Sequence, residues 1–94
     1  MDKLENYRQA VRQLLSRFVK SETGDEEIES QLIFDDERGH YQWLELGWKD
    51  SLRMYHCFVH IDIRDGKVWL QRNMTDQDLA EDLVEMGVLR KDIV

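Results

Sequence analysis

The sequence predicts a single α+β domain over residues 1–94: an N-terminal helix, a four-stranded antiparallel meander sheet and a C-terminal helix. Three observations carry that expectation. Apolar residues recur every three to four positions at the N-terminus, which stacks them on one helical face. Four runs of strand character follow, joined by connections too short for the crossovers that parallel strands need. A last segment with cap-forming residues and a closing glycine reads as a second helix.

Residues 2–20 place Leu4, Tyr7, Val11, Leu14, Leu15 and Phe18 on one helical stripe, with Lys3, Glu5, Arg8, Arg12 and Arg17 mostly opposite. The polar stretch SETGDEE, 21–27, reads as a loop. Residues 28–35 alternate Ile28, Leu32 and Phe34 with polar neighbours, and DDERGH has the composition of a hairpin turn. Residues 41–48 form an aromatic and apolar run closed by KDS at 49–51, and the third and fourth runs cover 52–64 and 67–73. Between those two stands Asp65-Gly66, a strong type I′ hairpin signal because both central positions of that turn take positive φ. The turn sets a register in which Arg64 faces Lys67, Ile63 faces Val68, Asp62 faces Trp69, Ile61 faces Leu70 and His60 faces Gln71. In the final helix Thr75 is the expected cap, Asp76 and Asp78 suit the first turn, and Gly87 suits the C′ position. Leu79, Leu83 and Met86 mark its apolar stripe. The chain then runs VLRKDIV and stops on apolar, strand-like residues, so a shortened C-terminus is expected.

Composition narrows the function classes. Twenty acidic against 13 basic side chains give a formal net charge of −7. Nucleic-acid binders concentrate Lys and Arg, because phosphate neutralisation supplies most of their affinity, so direct DNA or RNA binding is disfavoured. A partner with a basic surface fits better. No apolar run reaches the ~20 residues of a membrane span. One cysteine, Cys57, rules out an internal disulfide and lacks the paired spacing of a zinc finger, so a reducing, cytoplasmic setting is expected. There is no P-loop, dinucleotide fingerprint or nucleophile elbow.

The hairpin FVHIDIRDGKVWLQRN, residues 58–73, concentrates the residues that look like chemistry. One of its faces holds Val59, Ile61, Ile63, Val68 and Leu70, a plain core surface, and the other holds Phe58, His60, Asp62, Trp69 and Gln71. Parity in the second strand sorts Leu44, Leu46 and Trp48 to the core and Tyr41, Trp43 and Glu45 to the opposite side. Tyr41, Trp43, Phe58, His60, Asp62 and Trp69 therefore make the expected interaction face, since aromatic anchors with a polar rim are enriched at protein interfaces. His60 and Asp62, with Glu45, would be the pieces of a small metal-assisted hydrolase. Their sequence spacing fixes no third ligand, and His56 lies too far along the strand to share an ion with His60. No catalytic residue, metal ligand or cofactor is assigned on this basis. Cys57 shares parity with Val59 and is expected to point into the core as an inert thiol.

Four segments in series, MDKLENYRQAVRQLL, QLIFDDERGHYQWLELGW, HIDIRDGKVWLQRN and LVEMGVLRKDIV, resemble the XisI family, named for a factor controlling excision of the fdxN element in cyanobacteria. Departures are the end at Val94 and Gly39 ahead of His40, where similar proteins often carry a polar residue. The resemblance implies a small α+β accessory protein without established catalytic residues. It also implies association with a second factor, XisH, that resembles restriction-type nucleases, and with the recombinase that excises the element. DNA would then be engaged only indirectly, and the protein would be a non-enzymatic regulator of DNA rearrangement. A homodimer burying Trp43 and Trp69 is a further reading.

Overall fold

The computed structural model describes residues 2–20 and 27–94, and the expected loop over 21–27 lies outside them except for Glu27. Helix α1 spans Lys3–Lys20, followed by strands β1 (Ile28–Asp35), β2 (His40–Lys49), β3 (Leu52–Arg64) and β4 (Lys67–Asn73), then helix α2 (Leu79–Glu85). The strands form one sheet in the order β1-β2-β3-β4, every pair antiparallel, as the short connections require. Each strand observed lies within one residue of its sequence-derived boundaries.

Tight turns set the registers. Asp65 and Gly66 both adopt positive φ, so the expected pairs from Arg64–Lys67 to Ile61–Leu70 all form. Asp50 and Ser51, also at positive φ, turn β2 into β3. One expected pair fails: a bulge in β4 between Leu70 and Arg72 pairs His60 with Arg72 and leaves Gln71 as the extra residue.

Both helices lie on one face of the sheet. Their buried stripe of Tyr7, Ala10, Val11, Leu14, Leu15, Leu79 and Leu83 meets Tyr41, Val59, Ile61 and Val68 from the strands, with Val88 behind α2. At roughly 25 cal/mol per Å² of apolar surface removed from water, this shared core is the main source of the fold's stability. The cap of α2 falls three residues later than expected. Asp78 Oδ1 accepts from Glu81 N at 3.1 Å, because Thr75 is held in the preceding turn by Asn73 Oδ1.

The two ends of the chain are tied together. Asp92, buried beneath a short turn over Arg90–Asp92, accepts from the Tyr7 hydroxyl at 2.6 Å and pairs with Lys3 Nζ at 2.8 Å. The Tyr7 hydroxyl in turn accepts from Leu89 N at 3.2 Å, so one phenol bridges α1 and the C-terminal segment. Ile93 and Val94 run parallel beside β4, with Val94 N donating to Val68 O and Leu70 N donating to Val94 O.

Candidate functional site

The face of the sheet away from the helices carries the concentrated polar chemistry. Alternation along β2 places Tyr41 and Trp43 on the helix side, so His40, Gln42, Leu44, Leu46 and Trp48 take the open side. This inverts the expected assignment for β2. Tyr41 is fully buried, and its hydroxyl donates to Asp36 Oδ1 at 2.7 Å. Trp43 stacks on Phe18 of α1 with ring centroids 4.8 Å apart. The reason is that β2 is apolar on both faces, so its pattern alone does not choose; the aromatic stripe of α1 does.

A bulge in β3 corrects two more expectations. Trp43 pairs with Val59 and Leu44 with Cys57, which leaves Phe58 as the extra residue. Its ring packs 5.2 Å from Trp43, on the helix side rather than the open side. Beyond the bulge the parity of β3 reverses, so Cys57 sits opposite Leu44 on the open side instead of in the core. The Cys57 thiol donates to Val59 O at 3.4 Å, and burial pushes its pKa up, which keeps it a thiol.

Of the expected face, His60, Asp62 and Trp69 remain on the open side, and the register adds His40 directly opposite Asp62. Asp62 is the centre, only 8% exposed. Its Oδ1 accepts from His40 Nδ1 and from His60 Nε2, each at 2.8 Å, while its Oδ2 accepts from Gln71 Nε2 at 3.2 Å. The bulge that displaces Gln71 from His60 is what aims its amide at this carboxylate. Burial pushes the Asp62 pKa up, but the hydrogen bonds from His40, His60 and Gln71 outweigh it and hold the group below the usual range. The two imidazoles meet edge to face at 6.2 Å. Trp69 forms one wall, its indole covered by the Arg64 guanidinium at 4.9 Å and its Nε1 donating to Arg64 O.

His40 is the member that the sequence did not single out. It stands at the edge of a turn, and only the β2–β3 register brings it onto Asp62. Glu45, the expected third member of a hydrolase, lies on the helix side, where Ser30 Oγ donates to it at 3.3 Å and His56 is its strand partner. The combination of His60, Asp62 and Glu45 is therefore not assembled; His40 takes the third place.

Further along the open side the surface turns apolar. Leu44 is buried, while Trp48 and Tyr55 are 54% and 61% exposed near the tip of the β2–β3 hairpin. That hairpin gives the molecule its elongated shape, 46 × 24 × 21 Å. Arg53 stacks over Trp48 at 5.3 Å. Among the described residues, no helix is long and apolar enough to cross a membrane.

Comparison with known proteins agrees with this architecture. The fold is similar to a XisI-like protein from Anabaena variabilis ATCC 29413, with a TM-score of 0.92 and 49% identity over 97% of this chain and 84% of that one. It is also similar to the fdxN element excision controlling factor XisI from the same organism, with a TM-score of 0.86 and 26% identity over 99% of this chain and 85% of that one. No curated protein matches the sequence. The family model described as XisI protein matches residues 1–94, the whole length over which helix, meander and C-terminal helix were expected. The chain belongs to the XisI family.

Proposed function

We propose that this protein is a non-enzymatic accessory factor in the excision of a DNA element, acting in the cytoplasm by binding an XisH-like, nuclease-related partner. The observation that carries this reading is the open sheet face. It presents exposed Trp48 and Tyr55 on a projecting hairpin, with the His40, His60, Asp62 and Trp69 patch at its other end. Exposed aromatics beside a polar rim are the composition of interface anchors. The net charge of −7 complements a basic, DNA-handling surface and repels phosphate, so DNA is reached through the partner. The name of the excision controlling factor, similar over most of both chains, points the same way.

The face meant here differs from the one expected on sequence grounds. Tyr41, Trp43 and Phe58 pack with the helix side and serve stability, leaving His60, Asp62 and Trp69 joined by Trp48 and Tyr55. Co-expression with the XisH-like protein followed by gel filtration tests the proposal. The two should co-elute, and Trp48→Ala with Tyr55→Ala should separate them while the far-UV circular dichroism stays unchanged. Failure of the folded wild-type chain to co-elute, or tight salt-dependent binding of the chain alone to DNA, would overturn it. Light scattering on the same samples reports whether the face also pairs with a second copy.

A further inference from the structure

We propose that His40, His60 and Asp62 form a binding site for one divalent transition-metal ion of the zinc class. The three donors converge without rearrangement of the backbone. Nδ1 of His40 and Nε2 of His60 each lie 2.8 Å from the same Asp62 oxygen, and the three ligand atoms all fall within 4.8 Å of one another. Around a tetrahedral zinc ion with bonds of about 2.0–2.1 Å, neighbouring donors stand roughly 3.3 Å apart, inside that span.

The chemistry of the donor set selects the ion. Two imidazoles and one carboxylate suit zinc, nickel or cobalt, whereas calcium and magnesium require oxygen ligands. Three protein ligands with one remaining position is a recurrent zinc arrangement. Here the remaining position faces outward, because the His40 side chain is 51% exposed while the Asp62 side chain is 12% exposed. It would be filled by water or by a donor from another molecule.

Two features hold the set in place. His40 and Asp62 are directly paired across β2 and β3, and His60 is two residues along the same strand face, so the ligands stand on sheet backbone rather than on loops. Gln71 Nε2 binds the second oxygen of Asp62 at 3.2 Å and fixes the carboxylate plane, the orienting contact that metal ligands characteristically have. In the ion-free state each imidazole presents an N–H to Asp62. Entry of the ion would replace these two imidazole–carboxylate hydrogen bonds with ligand bonds from the same three side chains.

The inference stands apart from the partner reading, since an ion can bind whether or not a partner does. It is tested on the untagged full chain, stripped with EDTA and titrated with zinc chloride alone by calorimetry, then with cobalt chloride by visible absorbance. One zinc ion per chain, a tetrahedral cobalt spectrum and a raised thermal midpoint are expected. His40→Ala and, separately, His60→Ala should abolish the cobalt spectrum. Gln71→Ala should weaken zinc binding roughly tenfold, as loss of an orienting contact does. His56→Ala and Cys57→Ser should leave binding unchanged. Absence of saturable zinc binding by the folded wild-type chain would overturn the proposal. So would one-to-one binding that survives both His40→Ala and His60→Ala, or that disappears with Cys57→Ser.

Discussion

Gly39 and Gly66 offer a controlled pair for testing how closely the sheet packs around the candidate site. Their backbones are nearly the same, with φ of +77° and +75°, yet their surroundings differ. A Cβ at Gly66 would meet nothing within 4 Å, whereas one at Gly39 would overlap the carbonyl oxygen of Ile63 and lie 3.2 Å from its carbonyl carbon. Gly39 is also fixed at both ends, its N donating to Asp35 O at 2.7 Å and its O accepting from Ile63 N at 2.8 Å. Gly66→Ala should therefore show only the left-handed penalty, ~1–2 kcal/mol, less the ~0.4–1 kcal/mol returned by the stiffer unfolded chain, or about 1 kcal/mol net. Gly39→Ala adds a clash with backbone that cannot rotate away, ~1–3 kcal/mol on the scale of overpacked cores, for about 3 kcal/mol in all. In a domain of this size each kcal/mol moves the melting point by about 4–8 °C, so calorimetry should find roughly 4–8 °C for Gly66→Ala and roughly 12–24 °C for Gly39→Ala. Urea titration gives the same comparison independently. His40 follows Gly39 in the chain, so only this variant should also disturb the His40–Asp62 contact. Equal losses from the two substitutions would refute the close approach of the Asp36–Gly39 turn to β3.

Two further outcomes check the assignment of faces and the tie between the chain ends. Trp43→Ala removes a ring stacked on Phe18 and should cost about 3 kcal/mol, whereas Trp48→Ala at the exposed hairpin should stay within about 0.5 kcal/mol; similar urea midpoints for the two would contradict the placement of β2. Asp92 has its pKa lowered by the Lys3 ammonium and the Tyr7 hydroxyl. A depressed folded-state pKa stabilises the fold fully above the unfolded carboxylate value of about 3.9 and stops doing so as pH falls below it. Asp92→Asn should accordingly melt below wild type at neutral pH, with the gap closing below about pH 4. A gap that stays constant through the acid range would contradict that coupling.

Most of the architecture is carried by local signals. The α1 stripe of Tyr7, Val11, Leu14 and Leu15, the Asp65-Gly66 turn and the short connections act over a few residues each, and helix, hairpin and meander follow from them. The facing of β2 is different in kind. With Tyr41 and Trp43 on one side and Leu44, Leu46 and Trp48 on the other, either side could have been buried, and α1 decides by stacking Phe18 on Trp43. The bulges at Phe58 and Gln71 are likewise invisible to a period of two, because one inserted residue shifts parity without changing composition. The candidate site shows the same division. His60 and Asp62 share a face by strand spacing alone, so the sequence by itself determined that pair. Only the tertiary structure supplied His40 across the register, turned Gln71 inward through a bulge and removed Glu45 to the helix side, since cross-strand contacts depend on how distant segments align rather than on their neighbours in the chain.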